Sequence, residues 1–339
     1  MVTLTKTKTD LTLKSLIGDF LLSRQHLRPL TVLFYQTYLN NLRWYAQQKG
    51  WPAAAAEVTS DHIKAFLAYI ATEKNRWGYT DTSRSSSRHA SPGTVHNYGR
   101  VLKTLFNWAE EEEYLDHNPT QRMKLGSPKY KDVRPYTDQE VYAIFQLCEE
   151  DARFHCQYIG LRNRAIISLF VATGLRLSEL AGIRLSELDP GLKQVRVMGK
   201  GAKLRVLPIG GESRKALKRY LEVRPGGGDQ LWKGADGLEL MSRGIQMVVK
   251  RLQQRAGVNG GGGAHRFRHY FATRYLENGG DLNTLRLLLG HATLEMVLKY
   301  SRYVDIQKAL AGHQQFNPLD RLLRGDNHSR RDDNWGWRG

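Results

Sequence analysis

Apolar residues recur at helical spacing through most of this 339-residue chain, and one short segment shows a period of two instead. Residues 194–209, QVRVMGKGAKLRVLPI, alternate apolar and polar residues on both sides of GKGAK. A period of two predicts strands, and a glycine-containing turn between two such runs predicts a β-hairpin. The fold class is therefore expected to be mainly α with a small antiparallel β-sheet.

The first part of the chain is expected to be a small helical domain. Amphipathic spacing predicts four helices, and their segments are 11–23, 31–48, one starting at the Thr59–Ser60–Asp61 cap, and 94–112. Residues 78–93 are rich in Ser and Arg and lack periodicity, which predicts a loop. This loop is either a simple connector or a segment that becomes ordered on a phosphate backbone.

A segment rich in Gly, Pro and cations, residues 124–137, interrupts the helical pattern and indicates a boundary between domains. We therefore predict a helical domain over 1–125, a linker over 126–136 and a second domain over 137–325. Residues 326–339 are polar and are expected to be disordered. The second domain begins with a capping-box pattern at Thr137, and its predicted helices cover 164–173, 175–183, 212–222, 241–256, 265–278, 281–289 and 293–302.

The charge of the chain points to a polyanionic partner. Lys and Arg number 51 against 33 Asp and Glu, which gives a net charge of +18 that both domains share. This excess favours nucleic acid as the partner, with a solubilising surface as the alternative. Two cysteines cannot form a disulfide framework or a four-cysteine zinc site, and no apolar run is long enough for a signal peptide or a membrane span. We therefore expect a cytoplasmic protein.

Several polar residues stand at unusual places in apolar helices. Arg176 and Glu179, in ATGLRLSEL, are three residues apart and can pair on one helical face. Arg268 shares a helical face with His265 in HRFRH, and His269 lies one turn after His265. His291 ends LLLGH, and Tyr300 follows nine positions later. Each feature also has an ordinary structural interpretation: a surface ion pair, a basic face, or a core tyrosine.

The order of these motifs resembles the catalytic domain of the tyrosine recombinases, the phage integrase family. TGLRLSEL, a hairpin with GKGxK, HRFRH, and LGH with a tyrosine nine residues later span about residues 135–304. The preceding helices are similar to the core-binding, SAM-like DNA-binding domain of that family. We expect no further N-terminal arm-binding domain, which would make the chain more similar to Xer-type, transposon and integron integrases than to large phage integrases.

The resemblance implies a role for each matching position. Arg176 and Arg268 would be the catalytic arginines, Lys200 the lysine of the hairpin turn, and Tyr300 the nucleophile. His265 and His291 would be the catalytic histidines, and Glu179 would support Arg176. Arg302 stands where many relatives have histidine, and Tyr303 is a second tyrosine nearby.

The resemblance also implies a reaction. Tyrosine would attack a DNA phosphodiester, form a 3′-phosphotyrosine and release a 5′-hydroxyl, with no ATP and no divalent metal. The expected partners are double-stranded DNA and three further copies of the chain, which would form a tetramer on two DNA sites through the C-terminal tail. Integration or excision of a mobile element is the expected role. Alternatives are Xer-type dimer resolution, a type IB topoisomerase and a non-catalytic DNA-binding protein.

Overall fold

The computed structural model describes residues 11–78, 89–128, 134–199, 204–291 and 293–301. The chain divides into two compact units, Met1–Asp132 and Val133–Gly339. Part of the predicted linker and all of residues 326–339 lie outside the described residues, so these two predictions stay untested.

The first unit is helical, as predicted. Its helices are α1 (Leu13–Ser23), α2 (Pro29–Gln48), α3 (Ser60–Thr72) and α4 (Pro92–Glu111). Side chains of Thr12, Thr59 and Ser91 accept hydrogen bonds from backbone N–H groups and so cap α1, α3 and α4. The apolar faces of the four helices meet in one core, which includes Phe20 and Phe106. Most of the Ser/Arg-rich loop, residues 79–88, lies outside the described residues.

The second unit is mainly helical and contains the predicted hairpin. Its elements in chain order are α5 (Asp138–Glu150), α6 (Gln157–Thr173), α7 (Leu177–Ala181), β1 (Gln194–Met198), β2 (Leu204–Pro208), α8 (Gly211–Val223), α9 (Ser242–Arg255), α10 (Gly263–Glu277), α11 (Leu282–Leu289) and α12 (Glu295–Ser301). A single π-helical turn, Asp151–His155, joins α5 to α6. The predicted capping box at Thr137 is present, with Glu140 as its second member.

Helix α6 is the centre of the second unit. It packs against α5, α8 and α10, and most of its residues are buried. Its buried side chains include Phe170, whose ring stacks on Phe267 of α10 with centroids 5.7 Å apart. This packing fixes α10, which bears the HRFRH motif, against the end of α6, where TGLRLSEL begins.

The hairpin strands are antiparallel, with Arg196 opposite Val206 and Val197 opposite Arg205. One face carries Val195, Val197 and Leu207 into the core of the unit, and the other face is exposed. Within the described residues, no helix is long and apolar enough to cross a membrane.

Candidate active site

A buried arginine holds the predicted site together. Arg268, in the middle of α10, has only 1% of its surface exposed. Its guanidinium donates to the carbonyl oxygens of Gly174 at 2.8 Å and Leu289 at 2.7 Å. These carbonyls lie at the C-terminal ends of α6 and α11, where unpaired carbonyls carry partial negative charge and favour a cation.

The charge of Arg268 survives its burial. Burial lowers the pKa of Arg268, and the positive charge of Arg176 lowers it further, to about 10. The group is therefore still a cation at neutral pH. Nη1 of Arg268 binds the carbonyl of Gly174, two residues before Arg176, so the two arginines belong to the same part of the unit.

Two glycines give these helix ends their shape. Gly174 ends α6 with φ +60°, and a Cβ there would lie 2.5 Å from Cδ1 of Phe271. Gly290 ends α11 with φ +62° and precedes His291. Left-handed backbone at these positions suits glycine, and it exposes the final carbonyls to Arg268.

Arg176 stands just before α7 and is fixed by Glu179, as predicted from their spacing. The Glu179 carboxylate accepts the backbone N–H of Arg176 and its Nη1, both at 2.8 Å. Arg205 of β2 binds the same carboxylate from the other side, with Nη1 and Nη2 at 3.1 and 2.8 Å from the two oxygens. One buried carboxylate thus orients two arginines.

The ionised form of Glu179 is strongly favoured. Burial by itself would raise the pKa of this carboxyl, but hydrogen bonds from Arg205 and Arg176 and the charge of Arg205 outweigh it, so that the pKa falls to about 2. The carboxylate is therefore negative at neutral pH and binds both guanidinium groups as an anion.

Tyr300, on α12, has none of its surface exposed. It packs with Ala272, Leu285, Leu289 and Val297. Burial raises the pKa of Tyr300, and the positive charge of Arg268 acts in the opposite direction. The tyrosine is therefore enclosed by apolar side chains, yet its hydroxyl is within the electrostatic influence of a buried cation.

Histidines surround Tyr300. The ring of His291 stacks on that of Tyr300 with centroids 6.4 Å apart, and the ring of His269 meets it edge-on at 5.2 Å. Nε2 of His291 lies 2.7 Å from Nη2 of Arg268. Because a guanidinium can only donate, this nitrogen accepts, and the proton of the neutral ring is on Nδ1. His265 is exposed in the first turn of α10, with its ring 4.7 Å from that of His269.

The structure thus brings together five of the seven predicted residues: Arg176, Glu179, Arg268, His291 and Tyr300. His265 adjoins this group through His269. Lys200 lies outside the described residues, between the ends of β1 and β2. Among the described residues, no group of three or more His, Cys, Asp or Glu could hold a metal ion.

Sequence reasoning missed Arg205. Its signal was present, because Arg205 occupies a position on β2 that alternates with the buried Leu207 and so faces inward. A charged residue on the inner face of a strand requires a buried partner. The sequence does not say that this partner is Glu179, 26 positions away.

Arginines, a tyrosine and histidines come together where α6 and α11 end against the first half of α10, beside a two-stranded hairpin. They define a site for an anionic reacting group of the phosphodiester type. Comparison with known families agrees with this class. Residues 136–308 match the phage integrase family and residues 14–125 match the phage integrase SAM-like domain. The chain belongs to the phage integrase family, the tyrosine recombinases, enzymes that cleave and rejoin DNA through a phosphotyrosine intermediate.

Relatives of similar length carry the same family name. The chain is 30% identical over 312 residues to the tyrosine recombinase XerC of Shewanella amazonensis, covering 91% of this chain and 96% of the relative. It is also 30% identical to the tyrosine recombinase XerC of Lactobacillus leichmannii, over 91% of this chain and 99% of the relative.

Solved structures show the same fold at lower identity. A lambda integrase dimer bound to a COC′ core site superposes with a TM-score of 0.66 at 20% identity, covering 86% of this chain and 78% of that one. A Tn1549 transposon integrase in complex with a circular intermediate DNA gives 0.67 at 18%, covering 90% and 99%. XerH bound to a palindromic difH substrate gives 0.65 at 20%, covering 88% and 83%.

The low pKa of Glu179 yields a prediction about acid stability. Because the folded pKa of about 2 lies below the ordinary value of 4.5, the ionised carboxylate stabilises the fold above pH 4.5, and this contribution is lost as the pH falls toward 2. Glu179→Gln should remove it, lowering the free energy of unfolding at neutral pH by up to about 3 kcal/mol. Urea unfolding at a series of pH values measures the difference.

Glu212→Gln is the matched control, since Glu212 forms an exposed ion pair with Lys215 on α8 and should change stability little. If the unfolding free energy falls between pH 4.5 and pH 2 as steeply in Glu179→Gln as in the wild type, the ionised Glu179 carboxylate does not stabilise the fold and the prediction is wrong.

Proposed function

We propose that this chain is a site-specific recombinase of duplex DNA in which Tyr300 forms the 3′-phosphotyrosine link. The observation that carries the proposal is the position of Arg268, which is buried and cationic and contacts His291, whose ring stacks on that of Tyr300. Once α12 has shifted, a phosphate that reaches Arg268 would meet the tyrosine oxygen and the guanidinium together.

Arg176 and Arg268 would stabilise the reacting phosphate. Negative charge builds up on its non-bridging oxygens as tyrosine attacks, and guanidinium groups can donate planar, paired hydrogen bonds to those oxygens. Donors fixed before the reaction are typically worth several kcal/mol of barrier. Glu179 fixes Arg176, and the carbonyls of Gly174 and Leu289 fix Arg268, so both are positioned in advance.

Tyr300 must lose a proton and gain access to the phosphorus atom. A side chain with no exposed surface cannot touch a DNA phosphate, so α12 would shift when DNA binds. Either His265 or His291 would accept the proton. In this structure Nε2 of His291 accepts from Arg268, so His291 would take the proton only after its ring moves away from that guanidinium.

Lys200 would protonate the leaving 5′-oxygen. It follows β1 in the hairpin turn, and the hairpin is tied to the site through the ion pair of Arg205 with Glu179. A lysine on a flexible stem can act as general acid once a neighbouring phosphate is bound.

DNA binding would be mainly electrostatic. The net charge of +18 and the fold shared with recombinases bound to DNA support duplex DNA as the partner. Contacts from Lys and Arg to phosphates imply an affinity that falls steeply with added salt. Assembly of four copies on two DNA sites, with the tail after Tyr303 docked on a neighbouring copy, is part of the same proposal. Such a protein would act on DNA in the cytoplasm, at the nucleoid.

The nucleophile assignment has a direct test. The substrate is a duplex that contains the recognition site and a nick close to the cleaved phosphate. After cleavage the short fragment diffuses away, so the covalent intermediate cannot be rejoined and accumulates. Tyr300→Phe should form no such adduct. The reason is that phenylalanine has no oxygen to attack phosphorus. Denaturing gel electrophoresis detects the adduct, with the site first selected from random duplexes. Tyr303→Phe is the matched control and should still form it, and an adduct in Tyr300→Phe would refute the assignment.

We further infer that the reaction needs no divalent metal or ATP. Two fixed guanidinium groups can supply the positive charge that metal ions supply in other phosphoryl transfers. Adduct formation by the wild type should therefore keep its rate, within about twofold, in excess EDTA and without nucleotide. A loss of adduct in EDTA that Mg²⁺ restores would overturn this part of the proposal.

For the biological role we propose integration and excision of a mobile element, supported by the Ser/Arg-rich insert at 78–93 and the long tail beyond Tyr303. The second candidate is Xer-type dimer resolution, which the match to almost the full length of XerC relatives favours. Relaxation of a plasmid without exchange between two sites would instead indicate a topoisomerase.

The two roles can be separated by isolating the protein from its source cells with the DNA covalently bound to it and sequencing that DNA. We expect attachment at the boundaries of an inserted element, because an integrase cleaves where the element joins its host. Attachment at a single recurring chromosomal or plasmid site with no element boundary would favour dimer resolution and contradict the mobile-element role.

A further inference from the structure

An inward-pointing arginine on the hairpin connects parts of the site that are far apart in the chain. Arg205 lies on β2, between the exposed Leu204 and Val206 and on the same face as the buried Leu207. Only 14% of its side chain is exposed. A guanidinium is seldom placed on the inner face of a strand unless all its donors are used.

Arg205 uses its donors on two different elements. Nη1 and Nη2 bind the Glu179 carboxylate as a pair, and Nε donates to the carbonyl of Leu288 at 3.1 Å. Paired bonds between planar groups fix orientation as well as distance. The plane of the Glu179 carboxylate is therefore set by Arg205, and the same carboxylate then holds Arg176.

The second contact lies beside the turn after α11 that contains Gly290 and His291. Leu288 and Leu289 end α11, and their carbonyls accept from Arg205 and Arg268 respectively. A Cβ on Gly290 would lie 3.1 Å from Nη1 of Arg205, so the guanidinium packs directly on the turn that presents His291. Two arginines from different elements thus clamp consecutive carbonyls at the end of one helix.

These contacts place Arg205 between three parts of the site: the start of α7 with Arg176, the turn with His291, and the hairpin strand β2 on which Arg205 itself lies. We propose that Arg205 is a positioning residue for DNA cleavage, which orients Arg176 through Glu179 and holds the hairpin and the His291 turn in register with it. This inference rests on the proposed function, because it assigns Arg205 a part in the same strand cleavage.

The test separates cleavage from DNA binding. At saturating protein on the nicked duplex, Arg205→Ala should form the covalent adduct at least 30-fold more slowly than the wild type, while the Kd for DNA changes less than threefold. Arg196→Ala is the matched control, since Arg196 lies on the exposed face of the same hairpin, and its adduct should form at a rate within threefold of the wild type.

Arg205→Lys keeps the charge and guards against loss of the fold. An ammonium group cannot make the paired bond to Glu179 and also reach the Leu288 carbonyl, so the adduct should form at least fivefold more slowly, with a Tm close to that of the wild type. A wild-type rate in Arg205→Lys or in a folded Arg205→Ala would overturn the proposal.

A double variant tests the route through Glu179. If Arg205 acts through this carboxylate, Arg205→Ala combined with Glu179→Gln should cleave no more than about threefold more slowly than the slower single variant. Rate losses that multiply would show that the two residues act separately and would refute the route. Failure of the wild type to form any adduct would refute the proposed function itself, whereas a reactive wild type with equally reactive Arg205 variants would refute only this inference.

Discussion

The burial of the Arg268 charge is the constraint on which the rest of the site depends. A guanidinium that is almost fully removed from water must recover its lost hydration from fixed acceptors. Here the carbonyls of Gly174 and Leu289 provide them, and both are available only because α6 and α11 end at left-handed glycines. The ends of these helices and the middle of α10 are therefore fixed relative to one another by one cation.

The burial of Arg268 disfavours its charged form, and the same burial leaves a positive charge that an anion can neutralise. The pKa of Arg268 falls to about 10, because burial and Arg176 both disfavour its charge. A phosphate brought beside it would restore the missing negative charge. A cation held in this way binds an incoming anion without first having to be ordered, which is the physical meaning of a preorganised site.

The Glu179 carboxylate has the complementary role at the other side of the site. It binds Arg176, which stands just before α7, and Arg205, which comes from the hairpin. Because two guanidinium groups share one carboxylate, a positive charge remains for a phosphate. The same sharing joins α7 to β2, so the electrostatics of the site and the packing of the hairpin depend on each other.

The sequence by itself determined the elements and most of the site. Apolar periodicity placed the helices, alternation placed the hairpin, and the three-residue spacing of Arg176 and Glu179 predicted their contact, because these patterns act over a few neighbouring residues. The motif order indicated the family and, with it, Arg268, His291 and Tyr300. Tertiary structure alone decided that Arg205 binds Glu179, that helix-end carbonyls hold Arg268, and that Tyr300 is buried between His269 and His291. Such contacts join residues distant in the chain, and their geometry depends on how whole helices pack, which local spacing does not encode.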